Sequence, residues 1–139
     1  MKKTIWGLMV MASLLFLWSC KTSYNNIETT SLQGLWLGTY AVDGNPITGQ
    51  YGNLIIKPDG TLIYDSDGGG TQHLTLGKWV LSGDVLTCNC TTVYGLESNI
   101  GTEQIFTFRY NKKNGALSEG VWKDVYGSGS GTFSLKRVR

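Results

Sequence analysis

The side chains best suited to chemistry fall in two places. His73 is the single histidine, so any base-assisted nucleophile would have to be built around it. Just before it, Asp65-Ser66-Asp67-Gly68-Gly69-Gly70 sets two carboxylates at i and i+2 beside a glycine run. Calcium takes roughly six to eight oxygens, and the distal glutamate of an EF-hand loop would fall at Leu76. A mobile glycine-rich hairpin loop without metal is therefore expected. A barrel enzyme would draw on His73 with Asp65 or Asp67, yet no G-x-S-x-G or comparable nucleophile motif adjoins them. The second place is Cys88-Asn89-Cys90. On a strand these cysteines point the same way with Cα atoms about 7 Å apart, the upper limit for a disulfide. Two readings stay open, a pair of reduced thiols on one face or a strained disulfide. A metal would need further soft ligands, and neither another cysteine besides Cys20 nor a suitably placed histidine is evident. No catalytic residue, metal or cofactor is expected.

The N-terminus has a different purpose. Lys2 and Lys3 precede an apolar stretch of about 14 residues, too short to span the roughly 30 Å hydrocarbon core comfortably. A basic start, a short apolar core and a small residue before a cut mark residues 1–19 as a secretory signal. The stretch ends in Leu17-Trp18-Ser19-Cys20, which resembles the lipobox of bacterial lipoproteins, although Trp18 stands where a small residue is usual. The resemblance implies acylation of Cys20 and a membrane partner through that lipid anchor, with the cell envelope, outer membrane most of all, as the location. Residues 20–31 then form the lipidated cysteine and a polar tether rich in Ser, Thr and Asn. Without Lys2 and Lys3 the twelve basic residues become ten, matched by ten acidic ones. A balanced domain gives no support for nucleic-acid binding.

Residues 32–139 must supply whatever positions the remaining groups. They show no helical apolar period over two turns. Instead, runs of β-branched and aromatic residues recur about every dozen residues, separated by Gly, Asn and Asp. Eight strands are expected: 34–42, 51–57, 61–65, 72–81, 85–93, 104–111, 116–123 and 132–137. Pro58-Asp59-Gly60, Ser82-Gly83-Asp84 and Asn111–Gly115 are hairpin turns, and 43–50, 66–71 and 94–103 are longer loops. Short connections between successive strands demand antiparallel pairing. The expected fold is all-β, an eight-stranded up-and-down meander closing into a small barrel, with a two-sheet sandwich as the alternative.

Gly34-Leu35-Trp36 on the first strand, Lys57-Pro58-Asp59-Gly60-Thr61-Leu62, Gly77-Lys78-Trp79 and the last strand Gly131–Arg137 together resemble small lipocalin-like (calycin-type) lipoproteins of Bacteroidetes-type bacteria. The resemblance implies that Trp36 closes the barrel floor and that a basic residue of the last strand, Arg137 before Arg139, packs over it. Tyr40, Trp79, Phe106, Phe108 and Trp122 are the expected ligand-lining aromatics if the interior is not filled by its own side chains. The expected function is a monomeric, non-catalytic, lipid-anchored module of the cell envelope that binds a small hydrophobic or amphipathic ligand or a partner protein. The alternative is an envelope inhibitor or accessory protein acting through its long loops.

Overall fold

The computed structural model describes residues 31–138, so the signal segment, Cys20, the tether before Ser31 and Arg139 lie outside the described residues. The chain runs β1 (Gly34–Val42), β2 (Gln50–Ile56), β3 (Thr61–Gly68), β4 (Thr71–Ser82), β5 (Val85–Tyr94), β6 (Glu103–Asn111), β7 (Ala116–Asp124) and β8 (Ser130–Arg137). Each strand pairs antiparallel with its sequence neighbour, and β8 returns to pair with β1 from Trp36↔Arg137 to Val42↔Gly131. The sheet is thus a closed up-and-down barrel and not a sandwich. Closure satisfies both edges of every strand, which neither terminal strand could achieve in an open sheet. One 3-10 turn, Glu97–Asn99, sits in the β5–β6 loop.

Two departures from the expected boundaries matter. The first is the 66–71 loop. β3 continues to Gly68 and β4 begins at Thr71, leaving only Gly69 and Gly70, at φ +65° and +83°, to turn the chain. Two successive positive φ values make the tight type of two-residue hairpin that glycine permits, so the strands pair almost to their tips. Asp65 and Asp67 consequently lie on a strand, both on its outer side, and not on a mobile loop. The second is an irregularity in β7. Ser118 and Glu119 break the register with β6 between Thr107 and Arg109, and Glu119 has φ +51°. This extra residue lets Leu117 and Gly120, three positions apart, both face inward.

The inward positions fall into two sets along the barrel axis. Trp36, Leu54, Ile56, Leu62, Leu86, Phe108, Leu117 and Leu135 fill the end reached by the β2–β3, β4–β5 and β6–β7 hairpins. Leu32 plugs that end from below, its carbonyl accepting the Trp36 indole N–H at 3.0 Å. Gly120 is also an inward residue here because Phe108 and Phe133 lie within 2.9 Å of where a Cβ would stand. At the other end the inward series turns small and polar, with Gly52, Ser66, Gly68, Thr75, Thr92 and Gly131. One end is closed by side chains and the other is left open.

Candidate functional site

Because an eight-stranded barrel has just enough interior for its own side chains, replacing large inward residues by Ser, Thr and Gly leaves space. A cavity of about 280 Å³ occupies the open half. Its floor is aromatic. Tyr64, Phe106 and Phe133 meet edge-to-face, with centroids 5.2, 5.4 and 5.0 Å apart, and Tyr40 adds a further edge contact with Tyr64 at 6.4 Å. Trp122 forms part of the wall, held by its indole N–H donating to the Ala41 carbonyl at 3.1 Å.

The rim is polar. Thr75 and Thr92 hydroxyls pair at 3.3 Å across β4 and β5, and the Gln104 amide donates to Asp124 Oδ1 at 2.9 Å. Asp124 Oδ2 accepts the Gly129 N–H at 3.0 Å, which ties the β7–β8 loop to the wall. His73 Nε2 lies 3.2 Å from the Asn99 amide nitrogen, joining β4 to the β5–β6 loop. The imidazole also packs over Gly95, where a Cβ would fall 2.2 Å from the ring. Burial raises the Tyr40 phenol above its ordinary value of 10.0, the Ser66 hydroxyl partly offsets this, and the Asp67 charge adds to it. Tyr64 is raised much further by its deeper burial, and its hydroxyl lacks a hydrogen-bond partner of good geometry.

Of the five aromatics expected to line a ligand, Tyr40, Phe106 and Trp122 stand in the wall of this cavity. Trp79 and Phe108 do not. Trp79 lies at the closed end, where its indole N–H donates to the Lys57 carbonyl at 2.9 Å. Phe108, two residues farther along β6 than Phe106, is buried against Phe133 with centroids 5.3 Å apart. It floors a separate cleft of about 610 Å³ between residues 114–120 and 133–137, where the β7–β8 ladder ends after four register pairs. Trp36 and Arg137 are register partners at the closed end, with Trp36 1% exposed and Arg137 Nη2 donating to the Gln33 carbonyl at 2.9 Å.

His73 is not joined by Asp65 or Asp67. Alternation on β3 turns Ser66 inward opposite His73 and both aspartates outward, where Asp65 accepts from Gln72 at 3.0 Å and Asp67 from the Gly70 N–H at 3.1 Å. Among the described residues no three His, Cys, Asp or Glu side chains gather as a metal site. Cys88 and Cys90 are free, buried thiols side by side on the inner face of β5, with no disulfide between them. An unbroken strand holds i and i+2 Cα atoms too far apart to bridge without distortion.

The residues that sequence reasoning missed are the small and polar ones, chiefly Ser66, Thr75, Thr92, Asn99, Gln104 and Asp124. Their only signal was position, since each falls in phase with an inward aromatic or, for Thr92, with the buried cysteines of β5 and, for Asn99, on a loop that bends over the mouth. No protein-family model, curated protein or solved structure matches this chain.

Proposed function

We propose that this protein is a non-catalytic binding module that takes one small amphipathic molecule into the open half of its barrel. The observation that supports this most is the exchange of large inward residues for Ser66, Thr75, Thr92 and glycines over one half of the barrel only. The resulting cavity, at about 280 Å³, is just below the roughly 300–1,000 Å³ of sites for drug-sized ligands, and far from what a two-chain lipid needs. An aromatic floor beneath a ring of hydroxyl, amide and carboxylate groups suits a ligand with one apolar and one polar end. The lipobox and the likeness to lipocalin-like lipoproteins support a place in the cell envelope, on an N-terminal lipid.

The test is calorimetry on the chain lacking its signal segment, with a panel of small aromatic and aliphatic amphiphiles. Saturable one-to-one binding is expected, and Thr92→Leu, which refills the cavity, should abolish it while the barrel still unfolds cooperatively. Absence of binding by every probe, or equal binding by the filled variant, overturns the reading. A second reading, action on a partner protein through the open-end loops, is favoured by Ile47, Leu96, Ile100 and Tyr126, which are 50–89% exposed there. Substituting these four by Ser should leave ligand binding intact and would abolish only such protein contacts.

A further inference from the structure

The formal charges of this domain nearly cancel, yet the barrel sorts them by end. The four segments that form the open end, residues 43–50, 67–71, 94–103 and 124–130, contain Asp43, Asp67, Glu97, Glu103 and Asp124 and no Lys or Arg. The closed-end segments, 31–34, 57–61, 82–85, 111–116 and 136–138, carry Lys57, Lys112, Lys113, Lys136 and Arg137 against only Asp59 and Asp84. A cleft lined by one sign of charge within low-dielectric walls concentrates the field at its mouth. Here the field is negative, and it opens directly onto the aromatic cavity.

Inside, one charged side chain reaches the lining. Asp124 belongs to the lining, and its bonds to Gln104 and Gly129 leave lone pairs for a further donor. Lys123, the nearest base along the chain, alternates to the outside of β7. The aromatic rings offer the electron-rich faces that attract cations. An independent sign of an unfilled role is Tyr64. It is 5% exposed and belongs to the lining, and its hydroxyl, with the Ser66 side chain as neighbour but no hydrogen bond of good geometry, can accept from an N–H or O–H donor.

From the aromatic lining, the Asp124 carboxylate and the acidic mouth free of Lys and Arg together, we propose that the ligand of this cavity is a small organic cation, an amine or quaternary ammonium with a compact apolar body. This rests on the reading of the cavity as a ligand site and names the class of molecule it selects. A carboxylate ligand would meet five acidic residues and no Lys or Arg at the mouth. A neutral one would leave the field unused.

The experiment compares choline, its neutral carbon isostere 3,3-dimethylbutan-1-ol, and the anion 3,3-dimethylbutanoate by calorimetry on the chain without its signal segment. Choline should bind at least tenfold more tightly than the alcohol, and the anion should not bind. Raising salt from 50 to 500 mM should weaken choline and leave the alcohol unchanged. Asp124→Asn should cost choline about tenfold and the alcohol nothing. Because that change also touches the Gly129 contact, Tyr40→Leu serves as a second variant, removing one aromatic face from the cavity wall and again lowering choline selectively. Equal binding of choline and alcohol, or preference for the anion, overturns cation selection while the cavity remains a ligand site. Failure of all three, together with the whole amphiphile panel, overturns the ligand site itself.

Discussion

At the closed end of the barrel, Trp36, Leu54, Ile56, Leu62, Leu86 and Leu135 fill the interior, and the hairpins outside carry lysines. At the open end the same eight strands turn Ser66, Thr75 and Thr92 inward, and the loops carry acids with exposed Ile47, Tyr94, Leu96, Ile100 and Tyr126. Strand geometry does not explain the difference, because every strand passes through both halves. Side-chain volume at alternate positions does. Apart from the cleft between β7 and β8, one half spends its interior on packing and holds the barrel together, which frees the other half to keep a cavity that packing alone would not favour.

Truncation should expose this division most sharply. Trp36→Ala removes a side chain that is 1% exposed, enlarges the cleft beside Phe108 that it helps to line and leaves the Leu32 carbonyl without its indole donor. A loss of about 3–5 kcal/mol in urea unfolding is expected. Tyr40→Ala, on the same face of the same strand but only half-buried at the open cavity, should cost about 1 kcal/mol, as little packing is lost. Equal costs at the two positions would show that the open half is as tightly packed as the closed one.

The boundary between the halves can be located with the thiols. Burial pushes Cys90 from its ordinary 9.0 up to about 12, and burial together with the neighbouring Cys90 carries Cys88 higher still. Both folded values exceed the unfolded one. Below pH 9 both states hold the thiol protons and stability is unaffected. From pH 9 toward 12 the unfolded chain releases them while the folded chain does not, so stability falls by about 1.4 kcal/mol per pH unit for each thiol. Tyr64, also raised by burial, adds to the fall above pH 10. Cys90→Ala should flatten the decline measured by urea unfolding at pH 8, 9, 10 and 11. A thiol reagent should label the native protein only as fast as it unfolds. Rapid native labelling would mean that cavity water extends down β5 past Thr92.

How much of this was legible follows the same division. The eight strands and the inward series Phe106, Phe108 and Tyr110 could be read from alternation, because burial on one face leaves a period of two. Closure could only be expected, since the β1–β8 pairing joins residues about a hundred positions apart. The reach of β3 through Asp67 and Gly68 was hidden by poor strand formers, whose weak propensity lost to pairing across the Gly69-Gly70 turn. The cavity was hidden for a related reason. Ser66, Thr75 and Thr92 look like solvent-facing residues until the strand phase assigns them inward, and aromatics such as Trp79 and Phe108 draw attention to the filled end instead. The net charge misled by cancelling, for a sum over the chain has no record of which hairpin lies at which end.

The smallest effect tests what keeps the halves in phase. At the β7 bulge, Ser118 and Glu119 together occupy one step of the ladder, so that Leu117 stays with the packed interior and Gly120 and Trp122 stay in phase above it. Glu119 holds φ +51° to do this, with its carboxylate outside the barrel, 3.3 Å from Arg109 Nε. A side chain in that conformation costs about 1 kcal/mol, which glycine avoids, but glycine also gains freedom in the unfolded chain worth about the same. Glu119→Gly should therefore shift stability by less than about 0.5 kcal/mol, since the exposed ion pair to Arg109 adds little. Glu119→Val, β-branched and poorly suited to positive φ, should cost about 1–2 kcal/mol. Both are read by urea unfolding. If valine is accepted as readily as glycine, β7 reaches its inward phase without the left-handed residue, and the two halves are kept in register by their interiors alone.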